Sequence, residues 1–63
     1  MDMLKRHLPP LMTAEQVSAQ TTIPKHRVYE LARLDLIPHV RLGRSMRFDP
    51  QAVRRWLDEG GTR

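Results

Sequence analysis

The spacing of apolar residues changes period twice along this chain, and that limits the architectures open to it. Val28, Leu31 and Ala32 recur at helical spacing; Val40, Leu42, Met46 and Phe48 then alternate with Arg41, Ser45 and Arg47; Val53, Trp56 and Leu57 return to helical spacing. Strict alternation marks a half-buried strand pair, whereas i, i+3, i+4 marks one face of a helix. Proline stands at both changes. Pro38 disfavours helical backbone in Ile37, and Pro50 follows Asp49 as the first helical position follows a capping carboxylate. The expected fold is mainly α with a small β-hairpin, in the order α-α-β-β-α.

With 63 residues and no cysteine, the chain has room for one domain and no disulfide to staple it. Its three histidines, His7, His26 and His39, are too scattered to hold a metal. Stability must come from a compact apolar core. No apolar run approaches the roughly 18 residues of a membrane span, and the opening MDMLKRHLPP lacks the apolar block of a signal peptide. These features predict a cytoplasmic protein with a flexible leader over residues 1–10, a domain over 11–60 and a tail over 61–63.

Thr13-Ala14-Glu15-Gln16 has the form of a capping box and opens a helix of about two turns, with Ala14, Val17 and the preceding Leu11 facing inward. Gln20 to Ile23 makes a tight corner: Ile23 plugs it, and Thr21 or Thr22 is placed to cap the next helix. That second helix, Ile23 to Leu34, carries Pro24 in its first turn and is apolar on one side and cationic on the other. Two helices so closely joined cross steeply, the arrangement in which the second is offered to a DNA major groove. Gly43-Arg44-Ser45 is expected at the hairpin tip, with Val40, Leu42, Met46 and Phe48 on its single buried face. In the last helix Val53, Trp56 and Leu57 point inward and Arg54, Arg55, Asp58 and Glu59 outward, with Gly60-Gly61 ending it. Trp56 reads as a core residue in preference to a stacking platform, since it belongs to the inward stripe.

The net charge is +4, and six of the eleven basic residues lie between Lys25 and Arg47, where the only acids are Glu30 and Asp35. Nine of the eleven are arginine, whose planar fork suits phosphate and guanine edges. A solvated basic surface is the bland alternative. The sharper reading gives phosphate contacts to Lys25, Arg27, Arg41 and Arg47, and base edges to His26, Tyr29, Glu30 and Arg33. Arg44 and Ser45 complete a wing against the backbone, with Arg44 able to enter a minor groove. His7 and His39 read as solvated loop residues. No nucleophile–base pair, glycine-rich phosphate loop or metal cluster is present in the sequence, so neither an enzyme nor a cofactor or small-molecule substrate is expected.

The segments Leu11-Met12-Thr13-Ala14-Glu15-Gln16-Val17, Val28-Tyr29-Glu30-Leu31, Ile37-Pro38, Val40-Arg41-Leu42-Gly43, Phe48 and Trp56-Leu57, in this order, resemble the excisionase-type winged helix-turn-helix domain, a small relative of the MerR-like DNA-binding domains. The resemblance runs from about Leu11 to Leu57. It implies that the second helix enters the major groove of double-stranded DNA and that the hairpin wing contacts the backbone or minor groove. It further implies an excisionase, or recombination directionality factor, of a phage or other integrated element. Such a protein binds repeated sites cooperatively, bends DNA and assists a tyrosine-family integrase. The departures are Gln20-Thr21-Thr22 where the family usually has a glycine in the turn, Asp35 where it has another, and Glu30 where it commonly has a base. Glu30 can accept from cytosine N4 or pair with Arg27, Arg33 or His26. A small transcription regulator is the alternative within the fold, disfavoured by the lack of a heptad-bearing helix after Gly60. A protein-interaction module using Leu36, Met46 or the last helix is the alternative outside it.

Overall fold

The computed structural model describes residues 10–62. The expected leader, His7 included, lies outside them except for Pro10, as does Arg63. The elements are α1 (Ala14–Thr21), α2 (Lys25–Arg33), β1 (Val40–Leu42), β2 (Ser45–Arg47) and α3 (Pro50–Asp58), three helices and an antiparallel hairpin in the order expected for a winged helix-turn-helix.

α1 starts where its capping box requires. The Thr13 amide donates to Gln16 Oε1 at 2.9 Å and the Gln16 amide donates to Thr13 Oγ1 at 3.2 Å, so two orphan donors are satisfied reciprocally. α1 ends on Thr22, whose φ of 62° and ψ of 11° put a β-branched residue in the left-handed region. The Thr22 amide donates to the Ser18 carbonyl at 2.8 Å, which closes the helix and turns the chain into the corner.

Neither threonine caps α2, contrary to expectation. Thr21 still belongs to α1: its hydroxyl donates back to the Val17 carbonyl at 2.7 Å and accepts the Ile23 amide at 3.2 Å. Helix α2 therefore begins at Lys25, two residues later than the pattern suggested, with Pro24 outside it in the capping position. Proline has no side-chain acceptor, so only its carbonyl serves, taking the Arg27 and Val28 amides at 2.9 and 3.0 Å.

α2 ends in a Schellman arrangement around Asp35, which has a φ of 60°. The Asp35 amide donates to Ala32 O at 2.9 Å and the Leu36 amide to Leu31 O at 2.8 Å. Thr22 and Asp35 thus do with side-chain-bearing residues what glycine does without strain. Thr22→Gly is expected to stabilise the domain by about 1 kcal/mol, because threonine in this region costs about 1–2 kcal/mol and the added chain entropy returns part of the gain. For a domain of this size that corresponds to a rise in melting temperature of about 4–8 °C. A thermal melt followed by circular dichroism checks it, and an unchanged or lower midpoint sinks the strain argument.

The hairpin differs from the sequence reading in its register. Val40 pairs with Arg47, Arg41 with Met46 and Leu42 with Ser45, so the tip is the two residues Gly43 and Arg44, and Ser45 is already in β2. Gly43 has a φ of 63° and Arg44 has no positive φ, the pattern of a type II′ turn with glycine first. Directly paired residues share a face, so one residue fewer in the loop turns β1 over relative to β2. Met46 faces the core with Phe48, while Val40 and Leu42 share the opposite face with Ser45 and Arg47. The single apolar face expected of Val40, Leu42, Met46 and Phe48 is therefore split between two sides.

After β2 the chain makes one more pairing. Phe48 and Met12 exchange both backbone hydrogen bonds, at 2.7 and 2.8 Å, tying the segment before α1 to the end of the hairpin. Met12 is buried by this pairing, whereas Leu11 is only half-buried. The core comprises Met12, Ala14, Val17, Val28, Leu31, Ala32, Ile37, Phe48 and Val53, with Ile23, Met46 and Trp56 packed against it. Every element except β1 contributes, and no polar side chain is buried among the described residues.

α3 opens on Asp49, whose carboxylate accepts the Gln51 amide at 3.1 Å, with Pro50 in the first turn. It closes on a second Schellman arrangement, the Gly60 amide donating to Leu57 O at 3.0 Å and the Gly61 amide to Trp56 O at 2.8 Å. Gly61 lies over the indole, where a Cβ would stand 3.6 Å from the ring. Of its expected inward stripe, Val53 is buried, Trp56 is half-buried against the core and Leu57 is exposed. The helix meets the core along a narrower line than the apolar pattern implied.

Candidate nucleic-acid interface

Packing of α2 decides which side chains are left for a partner. Val28, Leu31 and Ala32 are buried, and they fix the helix by its apolar stripe. Lys25, His26, Arg27, Tyr29 and Arg33 are exposed and Glu30 is half-exposed. His26, Tyr29, Glu30 and Arg33 fall at i, i+3, i+4 and i+7, so they form one row along the outer face. The structure brings all six residues of the expected recognition surface onto a single presented helix.

Within that surface the cations divide into two kinds. Lys25 Nζ lies 3.1 Å from Glu15 Oε2, a link from the start of α2 to α1 across the corner. Arg27 Nη1 donates to Glu30 Oε1 at 2.7 Å. Arg33 has no hydrogen-bond or ion-pair partner among the described residues. Of the two roles open to Glu30, a base contact and an intrahelical pair, the free protein shows the second, with Arg27. The link to Glu15 had a sequence signal only in the capping box, which places Glu15 in the first turn of α1.

The Arg27 hydrogen bond, and then its charge, hold the Glu30 carboxyl below its ordinary 4.5. Desolvation opposes this, and the smaller effects of the Arg33 and His26 charges act in the same direction as Arg27. A depressed folded-state value means that the pair's contribution is present above the unfolded value and is lost as pH falls through the folded one. A carbon-detected NMR titration of the Glu30 carboxyl is expected to give a midpoint below 4.5, moving upward in Arg27→Ala. A midpoint unaffected by that substitution would assign the shift to other charges.

Arg41, Arg44 and Ser45 of the wing are exposed to solvent. Arg47 is half-buried, and its Nη1 donates to the Met46 carbonyl at 2.9 Å, so its guanidinium is partly committed to the hairpin itself. His39 is also less free than expected. Half-buried, it places Nδ1 2.9 Å from the Ile37 carbonyl and braces the entry to β1.

The chain folds into two helices joined by a tight corner and carries a basic hairpin, and its sequence itself matches a family model, the helix-turn-helix domain, over residues 11–61. The chain belongs to the helix-turn-helix domain family. No curated protein and no solved structure matches it. As a helix-turn-helix domain it is a DNA-binding protein of a family that is typically non-enzymatic. Among the described residues no three or more His, Cys, Asp or Glu side chains are grouped to hold a metal, and no helix is long and apolar enough to cross a membrane.

Proposed function

We propose that this helix-turn-helix domain is an excisionase, or recombination directionality factor: a sequence-specific architectural protein that binds repeated sites cooperatively, bends the DNA and assists a tyrosine-family integrase in excising an integrated element. The observation that carries its DNA-facing part is the exposed outer row of α2, His26, Tyr29, Glu30 and Arg33, in a domain whose hairpin also exposes Arg41 and Arg44. The architectural role is supported by the resemblance of segments spread from Leu11 to Leu57 to excisionase-type domains.

In this reading Lys25, Arg27, Arg41 and Arg47 meet phosphates, Arg44 and Ser45 meet the backbone or minor groove at the wing, and the outer row of α2 meets base edges. Lys25 and Arg27 exchange their acid partners for phosphate on binding. Glu30, released from Arg27, becomes an acceptor for cytosine N4. Bending a site of 20–30 base pairs costs on the order of 1–6 kcal/mol, which is large for one small interface. Neighbouring protomers and the integrase share that cost, hence cooperative filling.

The test is recovery of bound fragments from the source genome at about 150 mM salt against competitor DNA, followed by footprinting. Tandem short repeats beside an integrase attachment site, filled cooperatively, support the proposal. A single operator overlapping a promoter makes the domain a transcription regulator. Absence of enrichment at this or lower salt removes DNA as its ligand and leaves a protein-interaction module. Phosphate contacts by Lys25, Arg27, Arg41 and Arg47 alone give a slope of the logarithm of affinity on the logarithm of salt of about −3 to −4, and Arg44 steepens it by about one where it meets phosphate.

A further inference from the structure

Strand β1 turns its apolar side chains outward. Leu42 is 50% exposed and Val40 38%, on the face opposite the one by which Met46 reaches the core. A solvated basic ribbon has no use for leucine there, beside a two-residue turn. The tip also stands clear of the rest of the domain: a Cβ built on Gly43 meets nothing within 4 Å. Arg44 follows Leu42 two residues later at the tip and Ser45 is directly opposite, while Arg41, paired with Met46, stands on the other face of the ribbon. Both arginines are exposed and have no acidic partner among the described residues. A half-exposed leucine on a narrow protruding ribbon, with one free cation at the tip and another on the back, fits a surface that is anionic at its rims and apolar on its walls.

We infer that Leu42 is a wedge into the minor groove of DNA, seated against the deoxyribose walls while Arg41 and Arg44 engage the flanking phosphates. The inference rests on the DNA-binding reading above and deepens it by naming the nonpolar contact. The minor groove is about 6 Å wide, so it admits a single side chain at a ribbon tip, and its walls are sugar C–H groups. Apolar side chains placed there part base steps and bend the duplex toward the major groove. In this domain the wing supplies bending as well as affinity, and the one-residue difference in hairpin register is what turns Leu42 toward the DNA.

The experiment uses the full chain and a DNA site selected by the wild-type protein, with affinity measured over a range of salt and bend angle by end-to-end fluorescence transfer. Leu42→Ala is expected to weaken binding about tenfold with an unchanged salt slope, because a nonpolar contact releases no counterion, and to reduce the bend. Arg44→Ala is expected to weaken binding and to lower the slope by about one. Leu42→Thr keeps strand propensity and serves if the alanine variant loses its fold. Wild-type protein that selects no DNA overturns the reading on which the inference stands. Selection by the wild type, with affinity and bend unaltered in both Leu42 variants, overturns the wedge alone. Loss of cooperativity on tandem sites with normal affinity for an isolated site would also overturn it, and would assign Leu42 to contact with a second copy.

Discussion

Phe48→Ala is expected to leave the domain without a cooperatively folded state. Phe48 is the largest of the fully buried side chains, and its backbone makes both hydrogen bonds that hold Met12 against the hairpin. It also immediately precedes Asp49, which caps α3. Truncating a buried phenylalanine costs about 3–5 kcal/mol, and a core in a domain this small rarely supplies more than about 3–5 kcal/mol in total. The two quantities nearly cancel. Far-ultraviolet circular dichroism of Phe48→Ala should therefore show a weak helical signal with no sigmoidal melt, while Phe48→Leu should still melt cooperatively after losing about 1–2 kcal/mol. Leu57→Ala, at an exposed position although on the apolar stripe of α3, should change stability by less than about 0.5 kcal/mol. A cooperative melt of Phe48→Ala near the wild-type midpoint would show that the helices hold one another without the hairpin anchor.

What could be seen in the sequence beforehand was whatever is decided locally. The Thr13 to Gln16 capping box, the Asp49-Pro50 helix start, the glycine pair after α3 and the buried stripe of α2 each depend on residues within one or two turns, and each was legible. The hairpin register was not, because Gly43-Arg44 and Gly43-Arg44-Ser45 are both plausible loops, and a shift of one residue reverses every side chain of a strand. The Met12–Phe48 pairing joins residues far apart in the chain, and nothing in the pattern around Met12 announces a partner. The positive φ values of Thr22 and Asp35 were hidden for the opposite reason. The turns that glycine usually marks are present here, with the strain absorbed by residues that do not advertise it. For the interface, the identity of the exposed cations was legible, while their division into acid-paired Lys25 and Arg27 and unpaired Arg33 needed three-dimensional neighbours.

That division makes Arg33→Ala the most informative interface substitution. From His26 to Arg33 the row climbs seven residue steps of helix, about 10 Å at 1.5 Å per step, which matches roughly three base pairs at 3.4 Å. Arg33 is the only guanidinium in that row, standing at its C-terminal end in the last turn of α2. It breaks no internal pair when it engages DNA, so its full donor fork is available to guanine O6 and N7. Lys25 and Arg27 must first leave Glu15 and Glu30, exposed pairs of the kind typically worth little by themselves, and so they suit phosphate contacts that form and break with salt. Loss of Arg33 is expected to cost about 1–3 kcal/mol on the preferred site, about 5- to 150-fold in affinity, with the preference at one base position relaxed and the others kept. Binding of the variant to a library randomised across the footprint reads this directly. If affinity instead falls equally on all sequences and the salt slope drops by about one, Arg33 contacts a phosphate, and sequence reading passes to His26, Tyr29 and Glu30. Arg33→Lys separates the two cases again: a point charge restores a phosphate contact but reproduces a bidentate guanine contact poorly.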